Sequence, residues 1–459
     1  MKPRQNQSAR RKRIVPQREK AASTPPLIVA IEKPIYGGAF LARVEGKAVF
    51  VPLTLPGEQT RVRIIEDKRG YATAEVDEIV VPAPERIASA CRHFGVCGGC
   101  NYQHAGYGTQ LAFKQAILRE TLERGGIRAP EEITLLAAKN EAQSWGYRNR
   151  IRLAFDAAGN VGYRGRRSHA VIPIAECPIA APLLVKAATG VAEVVRQFAP
   201  AMSPTEISLF CDAEETSLLA SIFTADGPQR REEEFADFAR GFAENIPALK
   251  GVELFAEADA GGRAWIPNPR TVAQWGETSI AYRAAGFGYR VDNGAFFQVN
   301  RWLVDGLVDQ VTAGYEGELA WDLFAGVGLF ARKLAESFAQ VVAVEAAPQA
   351  TAALKENLRG TGGSAVRAST LDFLGGSGRG ERPDLVVVDP PRTGLGGEIT
   401  ALFAKIAAPR LVYVSCDPAT LARDLRLLVA SGYTIEKVAL ADLFPQTFHL
   451  ETVVHLRQS

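Results

Sequence analysis

The chain has 459 residues, with 53 Lys and Arg against 51 Asp and Glu, and 47% of it is hydrophobic. That length exceeds one ordinary core and predicts two or three domains. No apolar run approaches a membrane span, and the basic N-terminus lacks the apolar stretch of a secretory signal, so a cytoplasmic protein with no membrane partner is expected.

The near-neutral total hides an uneven distribution. Lys2, Arg4, Arg10, Arg11, Lys12, Arg13, Arg18 and Lys20 face only Glu19, with almost no large apolar residues between them. A disordered arm over 1–24 follows, suited to nucleic-acid phosphate or simply to solubility. From 25 to 83 the pattern turns to short β-like runs: Ala48–Val51, Arg61–Ile65 with alternating basic and apolar residues, and Glu75–Val80. Gly37-Gly38, Pro56-Gly57 and Arg69-Gly70 supply the turns of a small all-β barrel. Tyr36-Gly37-Gly38, Ala42-Arg43, Gly46, Phe50-Val51-Pro52 and Leu55-Pro56-Gly57-Glu58 resemble the TRAM domain, an OB-like barrel, and that resemblance implies RNA binding.

A second unit is expected over 84–290. It opens with Cys91, Cys97 and Cys100, among Gly95, Gly98 and Gly99, and Cys177-Pro178 lies far downstream. In a cytosolic chain such a set reads as metal ligation before disulfides, with zinc or an iron–sulfur cluster both open. His93 and His104 flank the loop as outer-sphere or surface residues. Cys211 sits in an apolar run and reads as core. A helix is expected from Tyr107 to Arg124, stopped by Gly125-Gly126, and packed on the catalytic domain. Tyr147–Arg152 and Tyr163–Arg167 interleave arginine with aromatics, a composition suited to RNA stacking and phosphate contact.

From 291 to 459 the grammar is βαβ. Leu319–Leu323, Val341–Glu345, Leu385–Val388 and Leu411–Val414 are near-continuous apolar runs, as strands buried on both faces of a parallel sheet must be. Leu329–Ser337 reads as a helix. Ligands bind at the carboxyl ends of such strands, where Asp322, Glu345, Asp389 and Ser415-Cys416 stand. Phe324-Ala325-Gly326-Val327-Gly328 follows one strand and lets backbone N–H groups approach a ligand; Glu345, ending the next, can bond ribose hydroxyls. A nicotinamide cofactor would fit that turn as well.

Cys416 and Glu451 supply what methylation of a pyrimidine carbon needs. C5 is too weak a nucleophile until a thiolate adds to C6, and a base must then remove the C5 proton. The motifs Asp389-Pro390-Pro391-Arg392, Ser415-Cys416-Asp417-Pro418 with Leu421-Ala422-Arg423-Asp424, Phe297-Gln298-Val299-Asn300 and His449-Leu450-Glu451-Thr452-Val453 resemble the RNA uracil-5-methyltransferase family. The resemblance implies a three-part multidomain α/β protein: TRAM barrel, central iron–sulfur α/β domain, and Rossmann-like class I methyltransferase domain. It implies Cys416 as nucleophile and Glu451 as general base. It places S-adenosylmethionine at Gln298, Phe324, Glu345, Asp372 and Asp389, and a 4Fe–4S cluster on Cys91, Cys97, Cys100 and Cys177. Leu329 departs from the polar residue the family carries after the glycine turn and is left out of the site. The expected substrate is 23S rRNA, with tRNA as alternative, and the expected state is a monomer. A DNA cytosine enzyme would instead use a Pro-Cys motif and needs no barrel. A non-catalytic RNA-binding iron–sulfur protein would not need an intact Cys416, Glu451 and Glu345, and a redox enzyme would tie its rate to the cluster's oxidation state.

Overall fold

The computed structural model describes residues 26–202, 204–224, 232–256 and 270–458; the basic arm expected over 1–24 lies outside them. Strands Leu27–Pro34, Ala39–Val44, Lys47–Pro52, Gln59–Asp67 and Tyr71–Val81 close into a barrel. Alternation puts Val29, Ile31, Val49, Val51 and Val62 inside it. Arg61 and Arg63 point outward, but the facing strand answers them with Glu78 and Asp77. The face that reads as positive in sequence is therefore largely neutralised.

One fully buried carboxylate closes the barrel. Glu58 accepts from Leu55 N (2.7 Å), Ala83 N (3.3 Å) and Arg86 Nη2 (2.8 Å). Burial pushes its carboxyl up, but the Arg86 guanidinium and the two backbone donors outweigh this and hold it below the usual range. A carboxylate with a depressed folded-state value contributes stability above its unfolded value and loses it as pH falls through the folded one. Glu58→Gln is expected to cost about 1–3 kcal/mol at neutral pH and to flatten the acid limb of thermal unfolding; equal melting curves at neutral pH would contradict it.

The central part is a seven-stranded sheet in the order Arg270–Gly276, Leu249–Ala256, Leu218–Thr224, Pro204–Cys211, Arg150–Phe155, Val161–Arg164, Val171–Pro173. Helices Pro182–Met202 and Glu232–Asn245 share its core with Ile207, Leu209, Ile222 and the fully buried Cys211.

The first arginine–aromatic run, expected to face RNA, makes contacts within the protein. Arg150 and Arg152 lie over the rings of Phe210 and Phe223, at 4.3 and 4.4 Å. Asn149 Nδ2 donates to Tyr282 Oη (3.0 Å) and Gln298 O (2.9 Å), and Tyr147 is fully buried. Cation–π contacts and the Arg152–Glu206 ion pair hold these partly buried arginines against the protein.

The catalytic sheet has eight strands, ordered Gly363–Arg367, Phe338–Glu345, Gly317–Leu323, Leu385–Val388, Arg410–Ser415, Glu451–Gln458, Tyr433–Ala441, Thr134–Leu136. Alternate residues feed two separate cores: Leu385, Val387, Val412 and Val414 on one face, Val386, Val388, Leu411 and Tyr413 on the other. That double burial is why these strands read as unbroken apolar runs. The helix after the glycine turn is Leu329–Leu334, ending three residues before the expected Ser337, because the Ser337 carbonyl turns to accept from Gly317 N and starts the next strand.

Three pieces of the span 84–290 serve this domain rather than a single central unit. Thr134–Leu136 extends the catalytic sheet in parallel with Ala439–Ala441. Helix Tyr107–Arg124 packs Ile117, Leu118 and Leu122 beside Leu421 and Leu425. Hairpin Ser279–Ala284/Phe287–Asp292 buries Ile280, Tyr282, Tyr289 and Val291 in the catalytic core, and it straddles the boundary expected at 290.

Candidate active site

Cys416 stands between the strand Arg410–Ser415 and the helix Pro418–Ala430. Pro418 presets the first helical φ, and the Asp417 carboxylate caps the turn, accepting from Ala419 N (3.0 Å) and Thr420 N (2.9 Å). The thiol is thus held half-buried at a fixed exit from the sheet. Antiparallel pairing sets Ser415 against Thr452, and one further step along both chains brings Cys416 toward Glu451, the first residue of the final strand. Gln298 Nε2 donates to Asp389 Oδ2 at 3.4 Å, so four of the expected site residues, Gln298, Asp389, Cys416 and Glu451, meet in one place.

This place is dry and acidic. Burial pushes the Cys416 thiol up to about 12, helped by the charges of Glu451 and Asp389 and opposed by Arg392. Burial pushes Asp389 up to about 7. Glu451, 4% exposed, is raised well above the carboxylate range by burial and by Asp389, with Arg392 again opposing. At neutral pH the thiol of the free protein keeps its proton. His449 is neutral: burial and then the nearby Arg392 charge lower it to about 3, and its Nδ1 accepts from Arg392 Nη2 at 3.4 Å. Its ring packs on Phe448 at 4.3 Å.

Two participants were not legible as such in the sequence. Tyr36 of the barrel donates to the Cys416 carbonyl (3.4 Å) and sets its ring edge-on to Phe448 at 5.6 Å. Asp424, fully buried, accepts from Leu395 N (2.7 Å), Tyr413 Oη (2.8 Å) and Arg423 Nε (2.9 Å). It ties the loop after Asp389-Pro390-Pro391 to the helix after Cys416. The available signal was an acid on the apolar face of that helix, between Leu421, Leu425 and Leu428.

The glycine turn lies beside this pocket. Phe324 and Gly326 take positive φ, 64° and 56°, and a Cβ added to Gly326 would meet nothing within 4 Å, which leaves its face open to a ligand. Glu345 accepts from Gly326 N (2.9 Å) and Ala347 N (2.6 Å). Asp322 lies beneath, fully buried, accepting from Ala331 N (2.8 Å) and pushed up to about 8 by burial. Asp372 lies on the short helix Thr370–Gly375, exposed and accepting from Ser369 Oγ (2.6 Å). Leu329 buries its side chain in the hydrophobic core, and its carbonyl accepts from Tyr289 Oη (3.1 Å).

Residues 382–459 match the model of the tRNA (Uracil-5-)-methyltransferase family, and residues 27–76 match the TRAM domain. The 23S rRNA (uracil(1939)-C(5))-methyltransferase of Aeromonas hydrophila is 33% identical over 427 residues, 90% of this chain and 92% of that one. The chain belongs to the RNA uracil-5-methyltransferase family. The corresponding enzyme of Pseudomonas entomophila is 31% identical and covers 92% of each chain. This uracil-5-methyltransferase also shares its fold with the Pyrococcus abyssi tRNA (uracil-54, C5)-methyltransferase, solved with S-adenosyl-L-homocysteine. The TM-score is 0.73 at 23% identity, covering 94% of this chain and 100% of that one.

The methyltransferase's four cysteines lie in one neighbourhood. Burial first, and Cys177's charge in addition, raise Cys91, Cys97 and Cys100, the last to about 12. Tyr163 Oη lies 3.7 Å from Cys177 Sγ, and Cys97 bridges Gly165, so the second arginine–aromatic run walls the cysteine loop. Among the described residues no three His, Cys, Asp or Glu side chains are arranged around a single metal ion. His104, expected as an outer-sphere or surface group, is buried in the barrel interface instead. Its Nε2 donates to Thr54 O (2.9 Å), and burial lowers its value to about 4, which keeps the ring neutral.

Proposed function

We propose that this enzyme methylates C5 of a uridine in 23S rRNA through a covalent adduct at Cys416. The observation that carries the reading is the convergence of one half-buried thiol with the buried carboxyls of Glu451 and Asp389 at the carboxyl ends of the sheet. S-adenosylmethionine, held by Gln298, Phe324, Glu345, Asp372 and Asp389, supplies an electrophilic methyl group. Cys416 loses its proton to water and, as the thiolate, bonds to C6, which moves the C5–C6 π electrons onto C5 and O4. C5 then bonds to the methyl carbon as the donor's sulfur leaves. Glu451, as carboxylate, takes the C5 proton; the double bond re-forms and the Cys416–C6 bond breaks. Extruding the uridine costs roughly a few kcal/mol, to be offset by contacts along the rest of the RNA.

The second reading is a tRNA uridine, favoured by the tRNA enzymes named in the matched family model and the shared fold. The rRNA reading is preferred because the relatives at 31–33% identity span nearly the whole chain. Transfer of labelled methyl to unmodified 23S rRNA and tRNA, offered in parallel, decides between them. Label in 5-methyluridine of the rRNA alone is the expected result, and label in neither RNA would defeat both readings. We further propose a monomeric, cytoplasmic enzyme.

We also propose that Cys91, Cys97, Cys100 and Cys177 hold a 4Fe–4S cluster. The uneven spacing of the four cysteines, with one CxxC pair where zinc sites more often carry two, supports a cluster over a tetrahedral zinc site. Uridine methylation is redox-neutral, so these residues serve to fix the loop against Tyr163. Cys177→Ser is expected to lose iron, sulfide and the broad visible absorbance of protein purified without oxygen. Unchanged iron content would remove Cys177 from the set.

A further inference from the structure

The arginines of Tyr147–Arg152 are engaged with Phe210, Phe223 and Glu206, and one groove beside the nucleophile offers other cations to the RNA backbone. It has a volume of about 410 Å³ and is lined by Tyr36, Thr121, Arg124, Gly125, Ala419, Ala422, Arg423 and Arg426. Its walls come from three separate parts of the molecule: the barrel, the helix Tyr107–Arg124 and the helix Pro418–Ala430. Ala419 lies three residues after Cys416, and Tyr36 donates to the Cys416 carbonyl. The groove therefore begins where the reacting base must leave the RNA chain.

Its chemistry is specific. Three arginines line it and no carboxylate does. Arg423 is fixed: Nε donates to Asp424 Oδ1 (2.9 Å) and Nη2 to Thr393 O (2.8 Å). Asp424 is itself buried and held by Leu395 N and Tyr413 Oη. A guanidinium braced in this way leaves Nη1 to meet a ligand without first losing rotamer freedom. Arg426, on the same helix, is exposed and makes no ion pair among the described residues, and Arg124 is only loosely matched by Glu120 at 3.9 Å. The floor is a close helix crossing, since a Cβ on Gly125 would lie 2.6 Å from Ala422 Cβ. A shallow, open, cation-lined channel with one aromatic wall suits a phosphodiester chain better than an enclosed small molecule.

We infer that this groove is a subsite for the RNA phosphodiester backbone of the nucleotides flanking the extruded uridine. Arg124, Arg423 and Arg426 contact phosphates, and Tyr36 spans from the barrel to the nucleophile's loop. The inference rests on the proposed RNA methylation and names how that site holds its polymer.

The test uses full-length protein, with its cluster intact, and an unmodified rRNA fragment that the wild type methylates. Arg124→Glu/Arg426→Glu is compared with Arg240→Glu, an exposed arginine outside the groove. In the groove variant the RNA Kd and KM should rise at least about tenfold. The slope of log K against log salt should flatten by about 0.7–0.9 for each lost phosphate contact. S-adenosylhomocysteine affinity and the melting curve should stay at wild-type values, and Arg240→Glu should change RNA binding far less. Arg124→Lys/Arg426→Lys should recover most of the affinity, since a phosphate contact needs charge more than a fork. Equal effects of Arg240→Glu and the groove variant, or an unchanged salt slope, would overturn the subsite. Failure of the wild type to methylate any RNA would instead overturn the reading beneath it.

Discussion

Cys416→Ala is expected to abolish methyl transfer, while Glu451→Gln traps the protein on its RNA. The two variants fail at different steps. Without the Cys416 sulfur nothing adds to C6, C5 stays inert, and the rate should fall by at least about 10⁴-fold. Without the Glu451 carboxylate the thiol still adds and C5 still takes the methyl group, but the C5 proton stays. Elimination is blocked, and labelled methyl should accumulate in a protein–RNA species that survives denaturing electrophoresis. Overall turnover should drop by about 10²–10⁴-fold, the usual contribution of a positioned general base. Normal turnover by Glu451→Gln, with no trapped species, would remove the base assignment and leave the nucleophile untouched. Trapping by Cys416→Ala would refute the adduct altogether.

The same electrostatics give a pH dependence. Cys416 is pushed up to about 12 in the free protein, first by burial and then by Glu451 and Asp389. The thiolate is the reactive form, so its fraction grows roughly tenfold for each pH unit below that value. Inactivation of the free enzyme by iodoacetamide, followed at Cys416 by mass spectrometry, should climb log-linearly from pH 7 to at least pH 9. A plateau near pH 7 would mean a thiolate already stabilised, which a site holding two buried acids and one arginine does not provide.

The catalytic sheet was legible because its physics is local. Val387 and Val412 on one face, Val386 and Leu411 on the other, must all be apolar if both faces are covered, and the strand ends then place Glu345, Asp389 and Cys416 together. The helix Tyr107–Arg124 was legible for a similar reason, a glycine pair at its end. What escaped depends on contacts between distant segments. Tyr36 reaches Cys416 across more than three hundred residues of chain, and no local pattern marks it. Thr134–Leu136 is too short to declare itself as a strand, and it exists because Ala439–Ala441 offers an open edge. The Tyr147–Arg152 run misleads in the opposite way. Arginine beside aromatics is the composition of an RNA face and equally of a buried cation–π layer, and only the neighbouring strand's Phe210, with Phe223 beyond it, decides which.

The largest stability effect is expected at Lys114. Its ammonium and the Asp442 carboxylate are both fully buried and directly bonded, and Lys114 Nζ also donates to the Phe444 carbonyl at 2.9 Å. Burial works against the lysine's charge and lowers its value, and Asp442 offsets part of that cost. Lys114→Met leaves a carboxylate buried without its cation, and should lower stability by about 3–5 kcal/mol. Lys114→Met/Asp442→Leu removes both charges and should recover most of that loss. Urea unfolding of the full-length variants, followed by circular dichroism, measures both, and a Lys114→Met protein as stable as wild type would refute the argument. The pair is placed where stability and chemistry meet. Asp442 begins the loop that runs through Phe444, Phe448 and His449 to Glu451. Gln446 in that loop accepts through its carbonyl from Asn101 N (2.9 Å) and bonds the Gln110 side chain (2.8 Å). The segment carrying the cysteines and the helix carrying Lys114 therefore grip the loop that delivers the base. If the ion pair serves only stability, the double variant should regain methyl transfer along with its fold. If it also fixes the register of the loop, the fold should return while kcat stays low, because Leu at 442 and Met at 114 can fill the space without dictating where Glu451 points.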